Sequence, residues 1–266
     1  MREIARLREH TFRAVGEGTG LALDTDSFDA HYHHPFVWSV ATRQVAGAYR
    51  LGFVDELLQS QGLDGLYCNT LFEFDPALFD YIGSNVELGR SFVRQEWQGG
   101  TRGLQLLSAG IGLILDRSPN IKTLFGAVSI SSRYSQLSRW LIMFALRQHH
   151  TDSWQGACVQ PLNAPLGPDA ALGQRIVEVS AGLADPIRLS RILRFLERGT
   201  GLPMLVKHYI ELRGRFAALN VDGNFKGALD GLVFVRSEDI PVVLHERLGT
   251  GGQVGLPEQT AGPLSP

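Results

Sequence analysis

The sequence predicts an α/β protein built on a mixed central sheet. Apolar, β-prone runs recur along the chain, and segments with helical spacing lie between them. Two pairs of runs, within 36–53 and 216–235, read as hairpins around turn residues. Strands that alternate with helices and also form hairpins imply a mixed sheet rather than a purely parallel, doubly wound one. With 266 residues, 44% hydrophobic and 20% charged, the chain can bury a large core.

Residues 2–15 read as a helix, with Ile4, Leu7 and Phe12 on one side and Arg and Glu residues opposite; Gly16-Glu-Gly18-Thr-Gly20 ends it. The segments 36–41 and 45–53 form a hairpin around Thr42-Arg43-Gln44. Short helices follow at 55–61 and 76–82, and 86–93 is a central strand. A helix over 102–117 is preceded by Gly99-Gly100 and followed by Pro119. A strand spans 123–130 and a helix 133–148. Residues 161–169, with three prolines and one glycine, form a loop. Asp185-Pro186 starts a helix running to about Arg198, with proline at its favoured first position. A helix over 203–212 is followed by strands 216–221 and 229–235 around Asp222-Gly223-Asn224. From Gly249 the Gly/Pro-rich chain reads as a disordered tail, leaving 1–248 as one domain.

The net charge of −2 gives no global basic field, so no nucleic-acid partner is expected. Two cysteines, Cys68 and Cys158, make no disulfide framework. The first residues are an amphipathic helix rather than a signal peptide, and no apolar run reaches membrane-spanning length. The expected location is the cytoplasm.

Four segments carry the candidate chemistry: Asp24-Thr-Asp26-Ser-Phe-Asp29, Tyr49-Arg50-Leu51, Val86-Glu87-Leu88-Gly89-Arg90-Ser91-Phe92-Val93, and Leu124-Phe125-Gly126-Ala-Val-Ser129-Ile-Ser131. A carboxylate and a guanidinium inside an apolar strand need a reason. Glu87 is either a base, its pKa raised by desolvation, or the partner of Arg90 in a structural ion pair. In a regular strand residues 87 and 90 face opposite sides. A bulge between Leu88 and Phe92, with Gly89 its natural position, would bring them together. Arg50 either forks a substrate carboxylate or lies on a strand end. Asp26 and Asp29 either meet an ammonium or cap a turn. The acidic segment lacks the residues of a calcium loop, and the spacing of His31, His33 and His34 does not suit zinc. No metal is expected.

In order, these blocks resemble the hemolysin-like N-acyltransferases, relatives of ornithine-lipid N-acyltransferases and more distantly of acyl-homoserine-lactone synthases. The likeness runs from about residue 1 to 248. A helix at the very start is unusual for that family and suggests the C-terminal part of a longer fusion. The resemblance implies a GNAT-like mixed, twisted central sheet flanked by helices, with a bulged central strand at 86–93. It implies Glu87 and Arg90 as catalytic residues. Arg50, Asp26, Asp29, Arg13, Phe92 and Ser129 would contact substrate.

The implied reaction moves a long (3-hydroxy)acyl chain onto the α-amine of an amino acid, ornithine first, in amino-acid-lipid biosynthesis. Alternatives are glycine, lysine, glutamine or tyrosine as acceptor, or a non-catalytic lipid-binding module. The donor would be the 4'-phosphopantetheine thioester of acyl carrier protein, with no permanently bound cofactor. Thr101 replaces a required glycine in the loop Gln98–Gly103, which weakens coenzyme A as donor. Arg94, Arg102, Arg133 and Arg139 would flank the acidic carrier protein. The basic face Arg188, Arg191, Arg194 and Arg198 offers a second docking surface, or peripheral contact with the inner membrane.

Overall fold

A computed structural model describes residues 1–98 and 102–241, without the side chains of 102–106. The loop Gly99-Gly100-Thr101 and the tail from Gly249 lie outside the described residues, as does the Arg102 side chain.

The chain opens with α1 (Arg2–Val15), ended by left-handed Gly16. The hairpin β1 (Phe36–Ser39) and β2 (Gln44–Phe53) follows, then α2 (Val54–Gln61). A short strand β3 (Phe72–Phe74) and α3 (Ala77–Ile82) lead into β4 (Asn85–Val93). Next come α4 (Arg102–Arg117), β5 (Thr123–Ile130) and α5 (Gln136–His149). The hydroxyl of Ser135 caps α5, so it starts three residues later than the apolar pattern implies. Sequence periodicity does not single out α6 (Ser153–Ala157), β6 (Val159–Pro161) or α7 (Ala170–Ser180). The first two are very short, and α7 is mostly exposed. The chain ends with α8 (Pro186–Leu196), α9 (Met204–Glu211), β7 (Arg215–Asp222) and β8 (Ala228–Arg236).

Six strands form one sheet in the order β1-β2-β4-β5-β8-β7, and β3 pairs with β6 in a separate ribbon. Only β4 and β5 are parallel; the other described pairs are antiparallel. The sheet is therefore mixed, as expected. Alternation along β5 sends Leu124, Val128 and Ile130 to one face and Phe125 to the other. The first face is covered by α4, α5 and α7 to α9. The second is covered by α1, α2, α3 and the β3–β6 ribbon.

Two irregularities shape the centre. The β4–β5 ladder stops at Glu87↔Phe125 although both strands continue. The two strands therefore diverge and open a cleft. The β2–β4 register also shifts, from Ala48↔Phe92 to Arg50↔Gly89, so Arg90 and Ser91 together oppose Tyr49. This is the expected bulge, with one correction: Arg90, not Gly89, takes the left-handed backbone conformation, at φ 51°.

Candidate active site

The bulge puts Arg90 on the face that already carries Arg50 and Glu87. Around them lies an ion-pair lattice of three guanidiniums and three carboxylates: Arg8, Arg50 and Arg90 with Asp24, Asp26 and Asp29. Arg50 Nη1 donates to Asp26 Oδ1 at 2.6 Å and to Asp29 Oδ1 at 3.2 Å. Arg8 Nη1 reaches Asp29 Oδ1 at 3.1 Å. Arg90 Nη2 reaches Asp26 Oδ2 at 3.2 Å, and its Nη1 lies 3.7 Å from Asp24 Oδ2. Burial would push Asp26 up, yet Arg50 and Arg90 hold it below the usual carboxylate range. Asp24, with longer contacts, is left raised by burial.

Asp26 and Asp29 therefore meet arginines, and they also cap. Asp26 accepts the N–H groups of Phe28 and Asp29, while Asp29 accepts that of Asp26. His34 Nε2 sits 2.9 Å from the Asp29 carbonyl, and the His33 backbone pairs with Leu51. The His33 backbone thus ties this segment to the sheet, while the His34 ring braces the segment from within.

Arg50 is completely buried. Its guanidinium lies against the rings of Tyr67, Tyr32 and Phe28, at 4.8, 5.1 and 5.7 Å, a favourable site for a cation whose Nε and Nη2 groups have no acceptor among the described residues. The expectation that it forks a substrate carboxylate is corrected: its charge is engaged inside the protein. Arg13 is corrected too. It sits on the surface, paired with Glu9 at 2.6 Å. The α1 arginine that reaches the lattice is Arg8, fully buried on the side that also carries Ile4 and Leu7. A charge on the apolar stripe of a helix was the signal that could have found it.

Glu87 is also fully buried. Its Oε1 accepts the Cys68 N–H at 2.7 Å, and its Oε2 accepts the Tyr67 N–H at 3.2 Å and the Tyr32 hydroxyl. The carboxylate thus organises the turn Tyr67–Thr70 and does not line the cavity described next. The carboxylate is thus turned away from the cavity, whereas the expectation was that it does the proton work directly or through a water. The alternative reading, a structural Glu87–Arg90 ion pair, is not among the described salt bridges either; both side chains instead border Tyr67.

The β4–β5 cleft continues into a cavity of about 620 Å³. One part is apolar, with Leu88, Val93, Leu107, Val128, Leu205 and Tyr209. The other part is polar, with Arg90, Tyr67, Glu17, Ser129, Asp222 and Asp230. Phe92 lies on the wall as well. Ser129 donates to Glu17 at 2.9 Å. Asp222 accepts the N–H groups of Asn224 and Phe225, which is turn chemistry, as expected. The guanidinium of Arg90 lies between the rings of Tyr67 and Phe225, at 5.1 and 4.9 Å. Asp230, missed in the sequence, sits amid the apolar strand Leu229-Asp-Gly-Leu-Val. A charge in a buried strand was again the available signal.

Of the flanking arginines, Arg133 lines the cavity, while Arg94 and Arg139 donate to the carbonyls of Val45 and Gly227. On α8, Leu189 and Leu193 are buried and the arginines exposed, with Phe195 and Ile187 also exposed. No described helix is long and apolar enough to cross a membrane.

Residues 7–108 match the model of the acetyltransferase (GNAT) domain. The chain is 38% identical over 165 residues to a glycine N(alpha)-acyltransferase of Bacteroides thetaiotaomicron, covering 57% of this chain and 48% of that one. It is 36% identical over 163 residues to a glycine N(alpha)-acyltransferase of Phocaeicola vulgatus, covering 57% and 50%. The chain thus spans about half the length of the curated relatives it matches. A CoA-dependent acyl-homoserine lactone synthase, BjaI, solved with SAM and isopentyl-CoA, aligns over 93% of this chain and 81% of that one, at 16% identity and a TM-score of 0.38.

Proposed function

We propose that this chain, which carries a GNAT domain over residues 7–108, moves a fatty acyl group from a thioester to the α-amine of an amino acid. One observation carries the reading. The cleft opened where β4 leaves β5 joins an apolar compartment to a polar one holding Arg90. An acyl chain fits the first and an amino acid the second, so the thioester carbonyl would lie between them. There, the backbone groups of β4 that face β5 beyond Glu87 have no ladder partner among the described residues. An N–H among them would stabilise the tetrahedral oxyanion.

Arg90, the lattice guanidinium that lines the cavity, would hold the acceptor carboxylate. Tyr67, placed by Glu87, would form the wall beside it, so Glu87 acts by positioning. The buried lattice keeps Arg90 in place.

Glycine is the first acceptor to test, because the relatives bear its name. Ornithine rests on the sequence resemblance. Acyl carrier protein as donor is supported by Arg133 at the cavity and by the exposed arginines of α8, which suit an acidic carrier.

The test uses the purified full chain with palmitoyl thioester on acyl carrier protein or on coenzyme A. Each is mixed with glycine, ornithine or lysine, and N-acyl products are sought by mass spectrometry. One N-acyl amino acid, made faster from the carrier protein, is expected. Thioester binding without a product from any mixture would overturn the reading in favour of a lipid-binding module.

A further inference from the structure

Asp230 lies near the start of β8, opposite Ser129 of β5 and Asn220 of β7. It is 5% exposed and lines the polar part of the cavity. Among the described residues, its carboxylate has neither a hydrogen-bond donor nor a salt-bridge partner. Every other described carboxylate of the site is engaged: Asp24, Asp26 and Asp29 in the lattice, Asp222 in its turn, Glu17 by Ser129, Glu197 by Ser135, and Glu87 by Tyr32 and two N–H groups. A buried carboxylate without a donor is costly, and here it faces the compartment that would receive the acceptor.

We infer that Asp230 receives the α-ammonium of the acceptor amino acid and takes its proton, while Arg90 holds the carboxylate of the same zwitterion. The inference rests on the N-acyltransferase reading and assigns its base. Arg90 and Asp230 line the same cavity, so once Asp230 is ionised the two present opposite charges within one compartment. An α-amino acid carries the complementary pair.

The proton balance is simple. The ammonium gives one proton to the Asp230 carboxylate. The neutral amine then attacks the thioester carbon, a C–N bond forms and the C–S bond breaks. The second proton leaves nitrogen for the departing sulfur, giving amide and thiol. Asp230 returns its proton to water.

Burial pushes Asp230 up to about 8, with Asp222 and Glu17 adding to the rise and Arg90 opposing it. Tyr67 and Cys68 also feel its charge. A base in that range suits an amine at neutral pH.

The experiment compares wild type, Asp230→Asn and Asp230→Glu on two acceptors. One is glycine. The other is aminooxyacetate, whose amine is already uncharged near pH 7. Circular dichroism and melting confirm that each variant is folded.

For glycine, kcat in Asp230→Asn should fall about 100-fold or more near neutral pH, and the levelling of the wild-type rate above about pH 8 should give way to a rate that goes on rising with the fraction of free amine. Asp230→Glu should restore part of the rate. For aminooxyacetate, the loss in Asp230→Asn should shrink to about tenfold or less. Equal losses on both acceptors, or a folded Asp230→Asn with the wild-type pH profile, would overturn the assignment and leave the N-acyltransferase reading standing. A wild type inactive with every donor and acceptor would remove that reading, and this one with it.

Discussion

Arg50 Nη1 lies 2.6 Å from Asp26 Oδ1, and Arg50 is completely buried. The pair lies behind the cavity lining and reaches it through Arg90, which Asp26 also binds. Replacing Arg50 takes the shared guanidinium from Asp29, 8% exposed, and from Asp26, 22% exposed. Arg50→Met should therefore cost about 3–5 kcal/mol in chemical denaturation. Arg13→Met removes an exposed guanidinium from Glu9 and the Leu21 carbonyl, while Glu9 keeps the donors of Thr19 and Gly20; it should cost about 1 kcal/mol or less. Equal costs would remove the distinction between the two arginines.

Glu87→Gln keeps one oxygen but turns an NH₂ group toward the donors of Tyr67, Cys68 or Tyr32. A cost of about 1–3 kcal/mol is expected, seen as a lower melting temperature. If transfer activity is present, kcat should fall while the shape of its pH profile stays unchanged. Unchanged melting with a lost pH dependence would make Glu87 the base instead.

Arg90 holds a left-handed backbone while its guanidinium lies between two rings. Arg90→Lys retains the charge but not the planar fork. The acceptor KM should rise about tenfold or more, with the KM for the acyl donor little changed. An equal rise in both constants would argue that the substitution collapses the cleft.

Asp230→Asn should raise the melting temperature, and more so at higher pH. The folded protein keeps a proton on Asp230 up to about pH 8, whereas the unfolded chain loses it near pH 4. Within that window the unfolded state binds fewer protons, so wild-type stability falls as pH rises. The variant lacks this dependence. The difference in melting temperature should grow from about pH 4 to about 8 and then level off. A constant difference would mean that Asp230 is ionised throughout.

Leu205 borders the apolar part of the cavity and is only partly buried. Leu205→Trp should fill some of the about 620 Å³. The preferred acyl chain should shorten, read by competing thioesters of different length. An unchanged preference would place the chain elsewhere.

The sequence by itself determined the mixed sheet, most of its strands and helices, the bulge in 86–93, and the segments that build the site. Those properties depend on neighbours within a few residues: alternation, helical spacing, and Gly, Pro and Asp at turns. Only the tertiary structure decided what each charged residue does. The lattice joins Arg8 to Asp29 and Asp26 to Arg90, while Tyr32 meets Glu87 across the chain, at sequence separations of 21, 64 and 55. Whether a charge faces a cavity or an opposite charge depends on such contacts. Arg50 and Glu87, in well-marked motifs, turn inward to support the site. Arg8 and Asp230, in unmarked stretches, become its buried brace and its one carboxylate without a partner among the described residues. Local pattern cannot distinguish these outcomes, because desolvation and pairing are set by the packed neighbours.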